Sequence, residues 1–369
     1  MFGKLRMPRS RGVRITAILT GALLTVGSAV GVGVASGLGS AEAAAAPDSP
    51  QLASVKALLA DQDTQFARGG NRGRGNNRIG PFQRDFVDIQ QVRPNQAQPN
   101  GQGEASTGTF LDECGKNENG HHNSDNFIVT PGEDHGALHV HDYVGNTTTT
   151  ARSTNRSLSK GDTTCANGDQ STFFWPVIRI QREANGQDNR QDQGPDEGNV
   201  GRLIEPNEVK VLFKGNATSQ VREAPTFLRS ITGDAKAGTN GPDNARPSWT
   251  CTGFEDRLTS KYPVCPNGSQ VKRILDFPSC WNGRSTDSAD HRSHLVFPKA
   301  NGSCPRGFRA VPQLEYQLTY PVPTGSVFAV DGFSEQQHNP ITDHADWENL
   351  MSRALMQQVV NCINSGKNC

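Results

Sequence analysis

The chain lacks the short motifs that identify several common enzyme classes. It contains no G-x-S-x-G nucleophile elbow, no Walker loop, no G-x-G-x-x-G dinucleotide fingerprint and no H-E-x-x-H zinc-protease motif. It also has no C-x-x-C pair, which disfavours a zinc ribbon or a thioredoxin-type site. Any chemistry must therefore come from residues brought together by the fold.

Neither sign of charge is in excess, because 37 lysines and arginines balance 37 aspartates and glutamates. The cations are concentrated near the N-terminus, so the part of the chain from residue 109 onward is mildly acidic. A mildly acidic domain is poorly suited to the phosphate backbone, and we expect no nucleic-acid partner.

The N-terminus has the three-part pattern of a secretory signal peptide. Five cations (Lys4, Arg6, Arg9, Arg11 and Arg14) precede a weakly apolar run, and an alanine-rich tract over 41–46 offers A-x-A cleavage sites. The alternative is an uncleaved membrane anchor, but the run is diluted with Gly, Ser and Thr. We expect residues 1–46 to be removed, leaving a secreted, extracellular protein without a stable membrane span.

Residues 47–108 are predicted to be a disordered spacer. They are rich in Gln, Asn, Arg and Gly and poor in apolar residues, a composition that cannot offset the entropy of ordering. Leu52–Phe66 has a short helical periodicity, which predicts a transient helix. The Arg/Gly part is similar to RNA-binding segments, but in an exported chain a flexible spacer that contacts anionic wall polymers is favoured.

Residues 109–369 are predicted to form a single extracellular domain that is stabilised by disulfides. All eight cysteines lie in this part, and their even number in an exported chain indicates disulfide pairing. Cys362 with Cys369 and Cys251 with Cys265 are the expected local pairs. The pairing of the other four stays open at this stage.

The pattern of the domain predicts a mainly antiparallel β, sandwich-like fold with long loops. Short β-like runs separated by Gly, Pro, Asn and Asp recur at Phe127–Val129, Leu138–Tyr143, Phe173–Ile180, Val209–Phe213, Phe227–Ile231, His294–Phe297, Leu314–Tyr320 and Ser326–Val330. Convincing helical periodicity occurs only at the C-terminus, from Trp347 to Ile363. We expect Asp343 to cap that helix and Gly366 to follow its end.

Three groups of histidine and aspartate are the candidate catalytic residues. They are His139 with His141, then Asp290 with His291 and His294, and finally His344 with Asp346. The i, i+2 spacing of His139 and His141 would put both rings on one face of a strand. We expect the three groups to converge in one cleft, with His139 or His141 near His291, His294 or His344.

The sequence leaves three interpretations of these groups open. They could brace long loops, act in acid–base catalysis, or bind a divalent metal through His139, His141 and His344. Aromatic side chains offer large rigid surfaces to sugars, so Trp281 and Tyr143 are the candidate substrate contacts.

The order of these motifs resembles the domain-of-unknown-function family 1996, which occurs in secreted actinobacterial and fungal proteins. The resemblance rests on the segments HVHDYVGN, FWP, DFPSCWNG with the following DSxDHxSH, DHADW and the terminal CINxGxxC. It implies a fold and a compartment but no reaction. Family members commonly have Trp-Asp-Gly where this chain has Trp281-Asn282-Gly283, and many have Ser-His-Pro where it has Arg306-Gly307-Phe308. If that Asp or that His is essential to activity in the family, this chain lacks it, so the departures weaken the prediction of a catalytic role for this chain.

The combined pattern predicts a secreted protein that acts on, or binds to, cell-wall or environmental polysaccharide. An enzyme of this kind would be a hydrolase or lyase that uses the histidine and aspartate groups. The alternative is a non-catalytic, wall-associated structural or glycan-binding module in which these groups only brace loops.

Overall fold

The structure is a computed structural model that describes residues 47–68, 80–96, 99–192, 194–195 and 198–369. The predicted signal peptide at 1–46 lies outside the described residues, so it stays a prediction. Within the described ranges, no helix is both long and apolar enough to cross a membrane.

Strands dominate the described chain, and helices are few. The helices are α1 (Pro50–Arg68), α2 (Asn155–Leu158), α3 (Ala237–Asn240) and α4 (Arg353–Asn364). The strands are β1 (Phe86–Asp88), β2 (Thr109–Asp112), β3 (His122–Asn123), β4 (His141–Gly145), β5 (Thr172–Pro176), β6 (Ile178–Arg182), β7 (Arg202–Ile204), β8 (Glu208–Lys214), β9 (Arg229–Gly233), β10 (Trp249–Cys251), β11 (Tyr262–Val264), β12 (Val271–Asp276), β13 (Cys280–Trp281), β14 (Leu295–Val296), β15 (Arg309–Ala310), β16 (Gln313–Tyr320), β17 (Val327–Val330) and β18 (His344–Glu348).

Two five-stranded antiparallel sheets form the centre of the fold. The first has the order β10-β12-β16-β8-β2, and the second has the order β3-β4-β5-β18-β9. Smaller three-stranded sheets, β17-β6-β7 and β14-β13-β15, and a parallel pair of β1 with β11 complete the described strands. The prediction of a mainly antiparallel β fold with a C-terminal helix is confirmed.

Aromatic side chains fill the space between the two large sheets. Trp175 of β5 packs edge-on against Tyr316 of β16, with ring centroids 5.4 Å apart. Trp347 of β18 meets Phe213 of β8 at 5.8 Å. Burying side chains of this size removes a large apolar area from water, so this layer is the main core.

The second sheet is buried on both faces, and its outer face carries the polar residues of interest. Because side chains alternate along a strand, Ala345 and Trp347 enter the main core while His344 and Asp346 point to the other side. On that outer face Phe174 packs in a separate apolar cluster, which includes Phe127 and Tyr143. The outer face is therefore a second buried layer rather than a solvent-facing surface.

Two short strand predictions differ from the structure. Phe127–Val129 forms a turn, because the Asn126 side chain accepts hydrogen bonds from the main chain of residues 128 and 129. The strand expected from residue 138 begins only at His141, since Leu138 has a left-handed backbone with φ of 55°. The predicted shared strand for His139 and His141 is therefore wrong.

The C-terminal helix is present but begins later than predicted. Residues 344–348 form β18, so Trp347 belongs to a strand and Asp343 does not cap the helix. The side chain of Ser352 caps α4 by accepting a hydrogen bond from the main-chain nitrogen of Leu355 at 3.2 Å. Gly366 lies just past the end of α4, with φ of 71°, as the pattern predicted.

All eight cysteines are paired. The two local predictions, Cys362–Cys369 and Cys251–Cys265, are confirmed. The other pairs are Cys114–Cys165 and Cys280–Cys304, and no free cysteine is present.

The predicted disordered spacer at 47–108 is contradicted where the structure describes it. Helix α1 buries Leu52, Val55 and Leu59 in the main core. Strand β1 pairs with β11, and Phe86 packs against the ring of Tyr262 at 5.3 Å. The composition misled the prediction because a few apolar residues at helical spacing suffice to dock a segment onto an existing core. The Arg/Gly-rich stretch at 69–79 lies outside the described residues.

Candidate metal centre

Two strands and one loop bring three histidines together at one end of the second sheet. His141 begins β4 and lies opposite Pro176 of β5, and His344 begins β18 on the other side of β5. His139 comes from the loop before β4. Its ring centroid lies 4.7 Å from that of His141 and 5.0 Å from that of His344.

Gly233 allows β18 to begin where it does. It pairs with His344 and has φ of 76°, a conformation that glycine adopts without steric cost. A Cβ atom at this position would lie 2.2 Å from the carbonyl oxygen of Asp343 and 3.0 Å from the Cβ atom of His344. The close approach of β9 therefore depends on glycine and keeps His344 at the sheet end.

The three rings present nitrogens to one another. Nε2 of His139 lies 3.1 Å from Nε2 of His344, and one nitrogen from each of His139, His141 and His344 falls within 4.8 Å of the others. The three rings are buried, with at most 4% of each residue exposed. This is a dense imidazole cluster that includes no carboxylate from the described part of the chain.

Main-chain carbonyls fix the orientation of two rings. Nδ1 of His141 donates to the carbonyl oxygen of Asp125 at 3.1 Å, and Nδ1 of His344 donates to that of Thr342 at 2.9 Å. Because a carbonyl oxygen only accepts, each Nδ1 carries the proton and each Nε2 is left with a lone pair. Nε2 of His141 has no hydrogen-bond partner among the described residues. Carbonyl-bound Nδ1 with a bare Nε2 is the usual arrangement of metal-ligating histidines.

The surroundings keep the three histidines neutral. Burial, followed by the neighbouring histidines, holds the pKa of His139 and His141 well below the ordinary value, and burial lowers the pKa of His344 to about 4. The buried guanidinium of Arg273, which pairs with Asp343, lowers the pKa of His141 and His344 further. Neutral imidazole is the form that binds a metal.

A cavity of about 420 Å³ opens beside the cluster. His139, His344 and Asp346 contribute to its wall, together with apolar Leu138 and Phe333. Leu138 is 52% exposed, so the cavity reaches solvent on that side. This size, with apolar walls and a few convergent polar groups, is typical of a small-molecule site.

Asp346 follows His344 by two residues and lines the same cavity. Its Oδ2 accepts a hydrogen bond from Asn126 at 3.3 Å, and its Oδ1 has no partner among the described residues. Burial raises the pKa of Asp346 to about 7. A carboxyl group in this setting can accept or donate a proton near neutral pH.

The second predicted group does not join the cluster. His294 is bound by Ser288 and by the carbonyl oxygen of Arg229, each at 2.8 Å, and His291 binds Asp287 at 2.9 Å. Asp290 is exposed and accepts hydrogen bonds from Ser288, Arg292 and Ser293 of its own loop. These residues brace a loop and do not line the cavity, so the predicted convergence of all three groups is wrong. The pairing of the first group with the third is confirmed.

The two predicted substrate contacts, Tyr143 and Trp281, form hydrogen bonds within the fold. Tyr143 is buried, and its hydroxyl lies 2.6 Å from Oδ1 of Asn123 and 3.0 Å from the carbonyl oxygen of Asp125. Trp281 packs on the main core and donates from Nε1 to the carbonyl oxygen of Ser285 at 2.7 Å. Neither residue lines the cavity.

A second group of candidate ligands lies on the opposite face of β4. His122 contacts Asp142 at 2.6 Å and Glu205 at 3.2 Å. The two carboxylates outweigh the effect of burial and raise the pKa of His122 to about 10. A charged imidazole between two carboxylates forms an ion pair, unlike the neutral cluster above.

The sequence analysis missed the residues that complete the cavity wall, among them Asn126, Lys236 and Arg292. Arg292 stands between the predicted His291 and His294, and its side chain donates to the carbonyl oxygen of Gly233 at 2.7 Å. The DHxSH segment therefore lies next to the cavity, but its arginine, and not its histidines, lines the cavity wall.

Comparison with known proteins adds the family. Searches of curated proteins and of solved structures find no similar protein. A family profile matches residues 126–349, more than half of the chain. The matched range includes the three clustered histidines, Asp346 and Arg292, whereas α1, β1 and α4 lie outside it. The chain thus belongs to the family described as a domain of unknown function, DUF1996.

Proposed function

We propose that this chain is an extracellular metalloenzyme in which His139, His141 and His344 bind a divalent transition metal beside a polysaccharide-binding cavity. The observation that carries the proposal is the set of three buried imidazoles whose nitrogens face one another. Three histidine ligands with further coordination positions open are a common catalytic set for zinc, and imidazole also suits copper and iron.

The nitrogen geometry favours a metal over a bracing network. Two ligands of a tetrahedral zinc at about 2.0–2.1 Å stand roughly 3.3 Å apart. The separation of 3.1 Å between Nε2 of His139 and Nε2 of His344 is close to that value, and it also fits a hydrogen bond between them, so Nε2 of His141 is the deciding atom. A network of hydrogen bonds would instead pair Nε2 of His141, which is buried and without a partner among the described residues.

The remaining cavity residues supply the rest of a hydrolase or lyase site. A metal bound here would act as a Lewis acid and activate water. Asp346 is the candidate acid–base group, because its Oδ1 is buried at the same cavity and has no partner among the described residues. A sugar ring has apolar C–H faces and polar hydroxyl groups. The cavity wall offers partners for both, because Phe333 is apolar and Asn126 can form hydrogen bonds.

An extracellular location is part of the proposal. The four disulfides support it, because such bonds persist in oxidising compartments and are rare in the cytosol. We also propose that the protein is associated with the cell wall, which would follow if its substrate is a polymer of that wall.

The first test is metal uptake by the oxidised full chain. After chelation, the protein is dialysed against Zn²⁺ or Cu²⁺ alone, and bound metal is measured by mass spectrometry. We expect close to one equivalent per chain for the wild type and loss of it in His141→Ala. The matched control is His291→Asn, because asparagine tolerates the φ of 53° at this position and His291 lies outside the cluster. Equal uptake by wild type and His141→Ala would overturn the metal centre.

The second test decides whether the protein is an enzyme or only a binding module. Metal-loaded and chelated protein are incubated with a panel of polysaccharides, and new reducing ends or unsaturated ends are counted. We expect cleavage only with metal, and we expect Asp346→Asn to abolish cleavage while it retains metal. Metal uptake without cleavage of any polymer would overturn the enzyme and leave a metal-containing glycan-binding module.

A further inference from the structure

A second cavity adjoins the first. It measures about 230 Å³ and shares Ile231 and Arg292 with the cavity beside the histidines. Its other wall includes Arg246 and Phe297. The two cavities therefore adjoin at Ile231 and Arg292, and we refer to them together as the Arg292 groove.

Three cations line the Arg292 groove. They are Lys236 beside the histidines, Arg292 at the junction and Arg246 in the second cavity. Lys236 is exposed and its Nζ lies 4.2 Å above the ring of Phe333, while the guanidinium of Arg246 lies 5.0 Å above the ring of Phe297. Each end of the groove therefore combines a cation with an aromatic face.

These cations have no carboxylate within ion-pair distance among the described residues, unlike other arginines of the fold. Arg179, Arg229 and Arg273 each pair with an acidic side chain. Arg292 instead donates to the carbonyl oxygen of Gly233, and Arg246 donates to those of Asp243 and Ala245. Burial lowers the pKa of the half-buried Arg292, the charges of Asp234 and Asp346 oppose this shift, and the charge of Arg246 adds to it.

Two acidic residues, Asp234 and Asp346, line the groove beside the three cations, so cations remain in excess. Asp234 accepts hydrogen bonds from the main-chain nitrogen of Lys236 at 2.8 Å and from the side chain of Asn240 at 3.1 Å. Its carboxylate is thus held at the start of α3. The groove keeps an excess of donors, and an anionic ligand would satisfy them through charge-assisted hydrogen bonds.

We propose that the Arg292 groove binds an anionic glycan chain, so that acidic groups contact Arg246, Arg292 and Lys236 while the sugar faces stack near Phe297 and Phe333. The inference deepens the proposed function, because it names the class of polysaccharide that would pass the histidine cluster. The shared chemistry is a glycopolymer with repeated negative charges, carried either by carboxylates or by phosphodiesters.

Binding is measured on His141→Ala, so that cleavage cannot remove the ligand, and repeated on the wild type. The probes are oligogalacturonate for carboxylates, a glycerol-phosphate oligomer for phosphodiesters and a neutral malto-oligosaccharide. We expect one of the anionic probes to bind at least about tenfold more tightly than the neutral one, the difference expected for one hydrogen bond to a charged group. We also expect this preference to weaken as salt is raised.

The groove variants are Arg246→Gln, Arg292→Gln and Lys236→Gln, and the matched control is Arg353→Gln on α4, an 89% exposed arginine. We expect each groove variant to lower the affinity for the anionic probe by about tenfold and to leave zinc uptake unchanged. Arg246→Gln and Lys236→Gln change exposed side chains, so they keep the test valid if Arg292→Gln folds poorly.

The outcomes separate the two proposals. Zinc uptake with equal affinity for neutral and anionic probes would overturn the groove and leave the metal centre. An anionic preference that the groove variants abolish, without zinc uptake by the wild type, would support the groove and overturn the metal centre. An anionic preference that Arg353→Gln weakens as much as the groove variants would indicate non-specific attraction and overturn the groove.

Discussion

Residues that do not touch the cavity hold the histidine rings in place. Asp125 is the clearest case, because its carbonyl oxygen accepts Nδ1–H of His141 and its carboxylate fixes two other segments. Oδ1 accepts the main-chain nitrogen of His135, and Oδ2 accepts that of Ala151, each at 2.8 Å. Asp125 is thus a positioning residue for the candidate metal centre.

Asp125→Ala keeps the carbonyl oxygen but loses the carboxylate contacts that hold it in place, so zinc binding should weaken, by at most the roughly 10- to 100-fold expected when a ligand loses its orienting partner. The affinity is measured by competition with a chelator well below the melting temperature of the variant. Asp134→Ala is the control, because Asp134 is exposed and pairs only with Arg152 on the same surface. Asp125→Asn should recover part of the affinity. Unchanged zinc affinity in Asp125→Ala would show that the His141 ring needs no such support.

At the scale of elements, successive side chains of β4 and β18 point to opposite faces, and this places the polar side chains of the candidate site on the outer face of the second sheet. The same physical principle explains the attachment of the N-terminal segment. Helix α1 presents Leu52, Val55 and Leu59 at i, i+3 and i+7 spacing, which is one face of a helix. Arg182 of β6 donates to the carbonyl oxygen of Leu58 at 2.9 Å and adds a polar contact.

A chain that starts at Thr109 should melt well below the chain that starts at Pro47. Each fully buried apolar side chain of α1 contributes about 1.5–3 kcal/mol, so we expect a decrease of the order of 10 °C in the melting temperature. The measurement is thermal unfolding by circular dichroism. A difference of only a few degrees would mean that α1 and β1 contribute little to the fold.

A point substitution makes the same test without truncation. Leu59→Ala should lower the free energy of unfolding by about 2–5 kcal/mol, because it leaves a cavity beside the main core. Ala57→Ser on the exposed side of α1 is the matched control and should have a small effect. Similar stabilities for the two variants would contradict the docking of α1.

At the scale of the whole molecule, the four disulfides stabilise the fold to different extents. Cys114–Cys165 closes the longest loop, with a sequence separation of 51, whereas that of Cys362–Cys369 is 7. A longer closed loop removes more entropy from the unfolded chain.

Beside Cys114 lies a buried pair of carboxyl groups, Asp112 and Asp169, that makes the stability depend on pH.

Burial, followed by the mutual interaction of the two carboxyl groups, raises the pKa of Asp112, and burial also raises that of Asp169. The folded state therefore binds a proton that the unfolded chain releases near its ordinary pKa of about 4. The stability from this proton is complete below about pH 4 and is lost as the pH rises through the raised folded-state value.

Asp112→Asn should flatten this pH dependence and raise the stability at neutral pH, because the amide needs no proton to lie beside Asp169. Urea unfolding at about pH 5 and about pH 8 measures the change. Asp162→Asn, at an exposed position, is the control and should keep the wild-type dependence. A wild-type stability that is equal at both values would contradict the shared proton.

Much of the general architecture could be predicted from local patterns. Alternating apolar residues identified β8, β16 and β17, and the short spacing of Cys251–Cys265 and Cys362–Cys369 identified two disulfides. These features depend on neighbours in the chain, which the sequence displays directly. The HVH segment and the DHADW segment were recognised as candidate ligands for the same reason.

The sequence by itself determined the residue types: eight cysteines that can pair, histidines of i, i+2 spacing and a mainly β class. Only the tertiary structure decided that His139, His141 and His344 meet while His291 and His294 do not. Strands β4 and β18 are far apart in the chain and become neighbours of β5 through long-range pairing. Burial then decided the chemistry, because removal from water keeps three imidazoles neutral and leaves Nε2 of His141 without a partner among the described residues.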